Sequence, residues 1–132
     1  MKSNSIIYTI LILLIVYASK KTNSDVKLNV QTQRAGDITV AVLPIRTGTE
    51  FVFEFQLDTH TTEITYQLEY IAVLTNEAGE TLKPIRWEGD PPGGHHRSGT
   101  LIFPPFKTAP KSIFLNIENL ENRDVKFNWN LI

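Results

Sequence analysis

From residue 26 onward the chain shows no helical repeat of apolar positions; it shows about eight short segments of alternating apolar and polar residues, divided by turn residues. The strongest is Glu50-Phe51-Val52-Phe53-Glu54-Phe55-Gln56-Leu57. A strand has a side-chain period of two, so Phe51, Phe53, Phe55 and Leu57 share one face while Glu54 and Gln56 share the other. A face carrying that much aromatic surface requires a second apolar layer opposite it.

The remaining segments supply that layer. Val26-Lys27-Leu28-Asn29-Val30 alternates and is expected to open the sheet, followed by a turn at Ala35-Gly36-Asp37 and a strand over residues 38–43 ended by Pro44. Residues 66–75 predict the next strand, the Asn76-Glu77-Ala78-Gly79 stretch a tight turn, and residues 81–87 the returning strand. A short strand over 100–103 closes at Pro104-Pro105; strands over 112–118 and 125–131 complete the set, with Phe127, Trp129 and Leu131 on one face. The pattern predicts an all-β chain: an immunoglobulin-like antiparallel β-sandwich of about seven to eight strands, without the Cys-Trp-Cys hallmark of antibody domains.

Ahead of this domain, Lys2 precedes an apolar run over residues 6–18, ending in Val16-Tyr17-Ala18. That run is about 20 Å long as a helix, short of the roughly 30 Å hydrocarbon core, which favours a cleaved signal over a spanning helix. Lys20 and Lys21 follow at once and oppose translocation of that flank, so a retained anchor stays open beside a signal peptide. The organisation read from the sequence is a signal peptide or N-terminal membrane anchor over 1–19, a tether over 20–25 and the sandwich over 26–132. Either form of the N-terminus gives an extracytoplasmic protein, secreted or tethered, that meets the membrane only through this segment.

Of the 132 residues 20% are charged, the net charge is −1, there is no cysteine and Met1 is the only methionine. The interspersed charge gives no basic face for nucleic acid. Without cysteine there are no disulfides, thiolate metal sites or lipid attachment to a cysteine, so any metal must take nitrogen and oxygen ligands.

The chemistry-bearing residues cluster in two places. One is Trp87-Glu88-Gly89-Asp90-Pro91-Pro92-Gly93-Gly94-His95-His96-Arg97; the other is Asp58-Thr59-His60, at the exit of the phenylalanine-rich strand. If consecutive strands alternate in direction, residues 58–63, 88–98 and 119–124 all fall at one pole, and in an immunoglobulin-like arrangement the strand ending at Asp58 pairs with the one that follows the double glycine. His60, His95 and His96, with Asp58 completing the shell and Glu88 or Asp90 near, then form a candidate site for zinc or copper(II). Two other readings stand beside it. The same side chains can simply hydrogen-bond the loop into place, or the Gly93 and Gly94 amides with Arg97 can receive an anion or a partner. Neighbouring residues on an extended chain point oppositely, so His95 and His96 converge only if the glycines kink the backbone.

Ser98 near His96 does not make a catalytic triad, because no nucleophile elbow or oxyanion hole accompanies it. Trp87 and Trp129 read as core anchors. Asp58-Thr59-His60, residues 72–79, Trp87 and the run from Gly93-Gly94-His95-His96-Arg97 to Phe103 resemble an uncharacterised family of small exported prokaryotic β-sandwich proteins, over roughly residues 51–131. The resemblance implies a secreted or membrane-tethered sandwich and brings no activity with it. The sequence therefore leads to a non-enzymatic extracytoplasmic binding domain whose histidine pole takes a divalent metal. The alternative is a structural or protein-interaction module, with an envelope protein as the possible partner.

Overall fold

A computed structural model describes residues 28–132. The expected signal or anchor, the tether and the first residues of the expected opening strand lie outside the described residues. Among the described residues no helix is long and apolar enough to cross a membrane.

Nine strands and one helical turn are present among these residues: β1 (Gln31–Ala35), β2 (Ile38–Arg46), β3 (Phe51–Asp58), α1 (Leu68–Ile71), β4 (Ala72–Asn76), β5 (Thr81–Leu82), β6 (Arg86–Gly89), β7 (His96–Phe103), β8 (Ser112–Leu120) and β9 (Arg123–Asn130). They form two antiparallel sheets, one in the order β1-β2-β3-β7-β6 and the other β5-β4-β8-β9. The two apolar faces meet as a β-sandwich. Phe51, Phe53, Phe55 and Leu57 are buried while Glu54 and Gln56 are exposed, as the alternation of β3 requires. Phe53 meets Phe103 edge-on at 5.6 Å and Trp129 of the other sheet at 5.6 Å, so β3 is the aromatic spine of the core.

Several elements differ from the sequence expectation. Leu28, Asn29 and Val30 are in no strand, and pairing begins at Gln31. Asn29 instead accepts the Trp129 indole N–H at 2.7 Å. The Gln31 side-chain amide accepts the Asn128 N–H at 3.2 Å and donates to the Asn128 carbonyl, standing in for a neighbouring strand on the β9 edge. Pro44 does not end β2, because β1 pairs only as far as Val42 and the register shifts between Pro44 and Arg46; no ladder bond is asked of the proline.

Residues 66–75 are not one strand. Leu68 and Ala72 are fully buried while Tyr70, midway between them, is 73% exposed, which a helical turn allows and an alternating strand, with all three on one face, does not. Residues 81–87 are not one strand either: β5 pairs with β4, whereas β6 pairs with β7 in the other sheet, and the chain crosses between them at Lys83, Pro84 and Ile85. Proline at the crossing suits a break in the ladder.

The predicted turn after β4 is formed, with Gly79 at φ +87° and its N–H on the Asn76 carbonyl. Beside it the Glu77 carboxylate accepts the Lys111 N–H at 3.0 Å and the Ser112 N–H at 3.1 Å, tying the turn to the start of β8. The Lys111 amide, followed by the residue's own amide and that of Ser112, lowers the Glu77 pKa below its ordinary value. A depressed folded-state pKa means stability that is present above the unfolded-state pKa and is lost as pH falls through the folded-state pKa. Glu77→Gln is therefore expected to lower stability at neutral pH, with the gap from wild type closing in acid. Urea melts of both proteins across that range check this; a gap that does not change with pH contradicts it.

Candidate functional site

The pole is assembled by the pairing of β3 with β7. Their antiparallel register sets Leu57 opposite Arg97 and Asp58 opposite His96. Directly opposed residues present their side chains on the same face, and His96 Nδ1 lies 2.5 Å from Asp58 Oδ1. Beyond the strand ends the two chains continue to pair: Thr59 N–H donates to the His95 carbonyl at 3.0 Å, Ile64 N–H to the Gly94 carbonyl at 2.9 Å, and Gly93 N–H to the Ile64 carbonyl at 2.8 Å. Gly93 and Gly94 have φ of +120° and +74°, a backbone region that side-chain-bearing residues rarely adopt. The other turns reach this same end. Asp37 accepts the Thr61 hydroxyl at 2.8 Å, and the Tyr66 hydroxyl accepts the Glu121 N–H at 3.2 Å.

At the centre lies Arg97, 1% exposed. Its Nη1 donates to the carbonyls of Tyr66 and Ile64, the latter at 3.4 Å, and its Nη2 to the Asp90 carbonyl at 3.3 Å. The guanidinium lies 5.4 Å from the centre of the Trp87 ring, and the Trp87 indole N–H donates to the same Asp90 carbonyl at 2.9 Å. Burial pushes the Arg97 pKa down from its ordinary value, while the Glu69 and Asp90 carboxylates act in the opposite sense. Asp90 also closes its own loop: its N–H donates to the Ser98 carbonyl and its carboxylate accepts the Ser98 N–H, both at 2.9 Å.

This geometry places the residues of two expectations otherwise than they assumed. Arg97 with Gly93 and Gly94 is not an open cradle for an anion, because the arginine is buried on backbone carbonyls, the Gly93 N–H is held by Ile64 and Gly94 contributes its carbonyl to the Ile64 N–H. Nor do the three histidines converge with Asp58. Among the described residues no group of three His, Cys, Asp or Glu side chains is placed to hold a metal ion. The pole does bring the two segments together as the topology implied, but what it pairs is His96 with Asp58, while His60 and His95 are exposed to solvent. His96 alternates with Arg97 along β7, so one points outward because the other points inward.

Two contributors escaped the sequence reading. Thr59, between Asp58 and His60, is 2% exposed, and its hydroxyl accepts the Thr61 N–H at 3.3 Å, shaping the bend after β3. The paired glycines Gly89 and Gly99 are the other. They oppose each other across β6 and β7, and a Cβ on Gly99 would stand 2.5 Å from Trp87 Cζ2 and 2.8 Å from the Gly89 Cα. Their lack of side chains makes the room in which Trp87 stacks on Arg97. The signal for Arg97 itself was parity: counting back from Phe103 by twos gives Leu101, Gly99 and Arg97, the inward face of β7.

Fold and site thus define an all-β sandwich with an arginine-centred, hydrogen-bonded pole. No family model matches the chain, and no curated protein matches it. Among solved structures the chain is similar to a secreted protein from Mycobacterium tuberculosis, MPT63, with 10% identity, a TM-score of 0.46, and 79% of this chain and 92% of that one covered.

Proposed function

We propose that this protein is a non-enzymatic, extracytoplasmic interaction module of immunoglobulin-like architecture, in which the His-His-Arg loop is a hydrogen-bonded element that holds His60, His95 and His96 on a fixed surface for a protein partner. The observation that carries the reading is the buried fork of Arg97, which joins carbonyls from residues 64–66 and residue 90 in one contact set. Such a fork is a device for fixing loops, since the planar guanidinium meets several acceptors in set directions. The strand order supports the architecture: with β1 set aside, β2-β3-β7-β6 against β5-β4-β8-β9 follows the arrangement of immunoglobulin sheets. The apolar run over residues 6–18 supports export.

Metal capture by the same histidines makes a different forecast, and calorimetric titration of the purified protein with zinc and with copper(II) separates the two. A metal that bound only the folded state would raise the melting temperature. The interaction module gives no saturable one-to-one binding and no such rise. One-to-one binding that His60→Ala and His96→Ala each weaken would overturn it in favour of a metal site.

A further inference from the structure

The segment that crosses between the sheets leaves a cleft that the histidine pole does not use. Glu69 and Tyr70 of α1 line one part of it, and Lys83, Ile85, Arg86 and Trp87 another, around a volume of about 550 Å³. That lies within the roughly 300–1,000 Å³ typical of small-ligand sites. Tyr70 is 73% exposed and Ile85 51% exposed. Single apolar residues on a surface are ordinary; here the two stand at one cleft, flanked by charges, and supply its apolar surface.

The charges narrow the chemistry. Among the described residues Lys83 makes no ion pair and Glu69 accepts no hydrogen bond, while Arg86 is ion-paired through Nε to Glu88 at 2.6 Å, lies in the field of Glu50 as well, and keeps its Nη groups as hydrogen-bond donors. The unpaired Lys83 ammonium beside the Arg86 Nη donors calls for an anionic group on the ligand, and a lone carboxylate calls for hydrogen-bond donors on it. The exposed tyrosine ring offers a flat apolar platform. One small scaffold that combines a flat C–H face, a carboxylate and several hydroxyls is a sugar acid. A phosphate's greater charge would be repelled by Glu69, and a peptide anchor needs an enclosed apolar hole, which a cleft with so exposed a tyrosine lacks. We propose that this cleft binds acidic saccharides, with the sugar face against Tyr70, its carboxylate on Lys83 and Arg86, and its hydroxyls donating to Glu69.

The test is a titration of the purified, isotope-labelled protein with oligogalacturonate, followed by amide shifts in NMR, with a neutral glucose oligomer and an acidic peptide run in parallel. The expected result is saturable shifts concentrated at residues 69–70 and 83–87, no binding of the neutral oligomer or of the peptide, and weakening as salt rises. Tyr70→Ala and Lys83→Ala should each reduce affinity by about tenfold or more, a difference of about 1.4 kcal/mol. Both side chains are exposed, so both variants should melt at the wild-type temperature, as should Arg34→Ala, a control on β1 at the opposite edge of the sheet from β6 that should also bind normally. Absence of saturable shifts up to about 10 mM sugar, which corresponds to less than about 3 kcal/mol of binding, would overturn the proposal. Equal binding of the neutral oligomer, indifference to Lys83→Ala, or preference for the peptide would each do the same.

Discussion

Arg97→Met is expected to lower the stability of the fold by about 2–4 kcal/mol, the range set by losing charge-assisted hydrogen bonds and orphaning a buried acceptor. The partners are not equally dependent on it. Ile64 O also receives the Gly93 N–H, and Asp90 O also receives the Trp87 indole N–H, whereas Tyr66 O has no other donor among the described residues. The loss is therefore concentrated where β7 holds the segment leading into α1. Against it stands the relief of no longer burying a cation, and methionine keeps most of the apolar stem. Hydrogen bonds prevail here because removing the guanidinium leaves its acceptors in place; a gain would require replacing both sides of the contact. Arg97→Lys keeps the charge but reaches fewer acceptors, so it should also destabilise, by about 1–3 kcal/mol. Chemical denaturation checks both variants; an unchanged midpoint in Arg97→Met would show that the fork holds nothing.

Gly99→Ala is the second large effect, about 1–3 kcal/mol by overpacking. Its Cβ would meet a ring carbon at 2.5 Å, the Glu88 carbonyl oxygen at 2.7 Å and the Gly89 Cα at 2.8 Å, and the two backbone atoms cannot rotate away. On the facing strand a Cβ at Gly89 would lie 2.4 Å from the Gly99 Cα and 2.5 Å from the Ser98 carbonyl oxygen, with no side chain among its nearest neighbours. The two substitutions thus differ in what relieves them. Adding Trp87→Leu should soften the damage of Gly99→Ala, whose clash is partly with the ring, and should not soften that of Gly89→Ala. A double-mutant cycle with equal coupling in both cases would contradict this account of how Trp87 is seated.

Much of the sandwich was legible because period-two alternation reports burial directly: β3, β8 and β9 place Phe51, Phe53, Ile113, Leu115, Phe127 and Trp129 inside as the pattern requires. The pole was legible as a place, since counting directions puts its loops at one end and an immunoglobulin-like strand order pairs β3 with β7, which sets Asp58 opposite His96. Its interior was not. Arg97 in a stretch of glycine, histidine and proline looks like a solvent-facing loop cation, and only the pairing of β7 out to His96 turns it inward. Likewise Leu68 fits an alternating strand as well as a helical turn, and the choice shows only in Tyr70, which alternation would bury beside Leu68 and Ala72 and which is 73% exposed. Pro84 marks a break in pairing, yet nothing local says that the chain changes sheets there.

Native-state hydrogen exchange on wild type and Arg97→Met tests the central claim, that a buried arginine makes the pole a fixed element. In wild type the amides of Thr59, Ile64 and Gly93 should be protected well beyond an open loop, since each donates to a carbonyl across the two segments. In Arg97→Met their protection should fall by at least about tenfold more than that of Phe53 or Leu115, a local loss of about 1.4 kcal/mol or greater. Exchange of those three amides at open-chain rates in the wild-type protein, or protection gained only when zinc or copper(II) is added, would contradict the account.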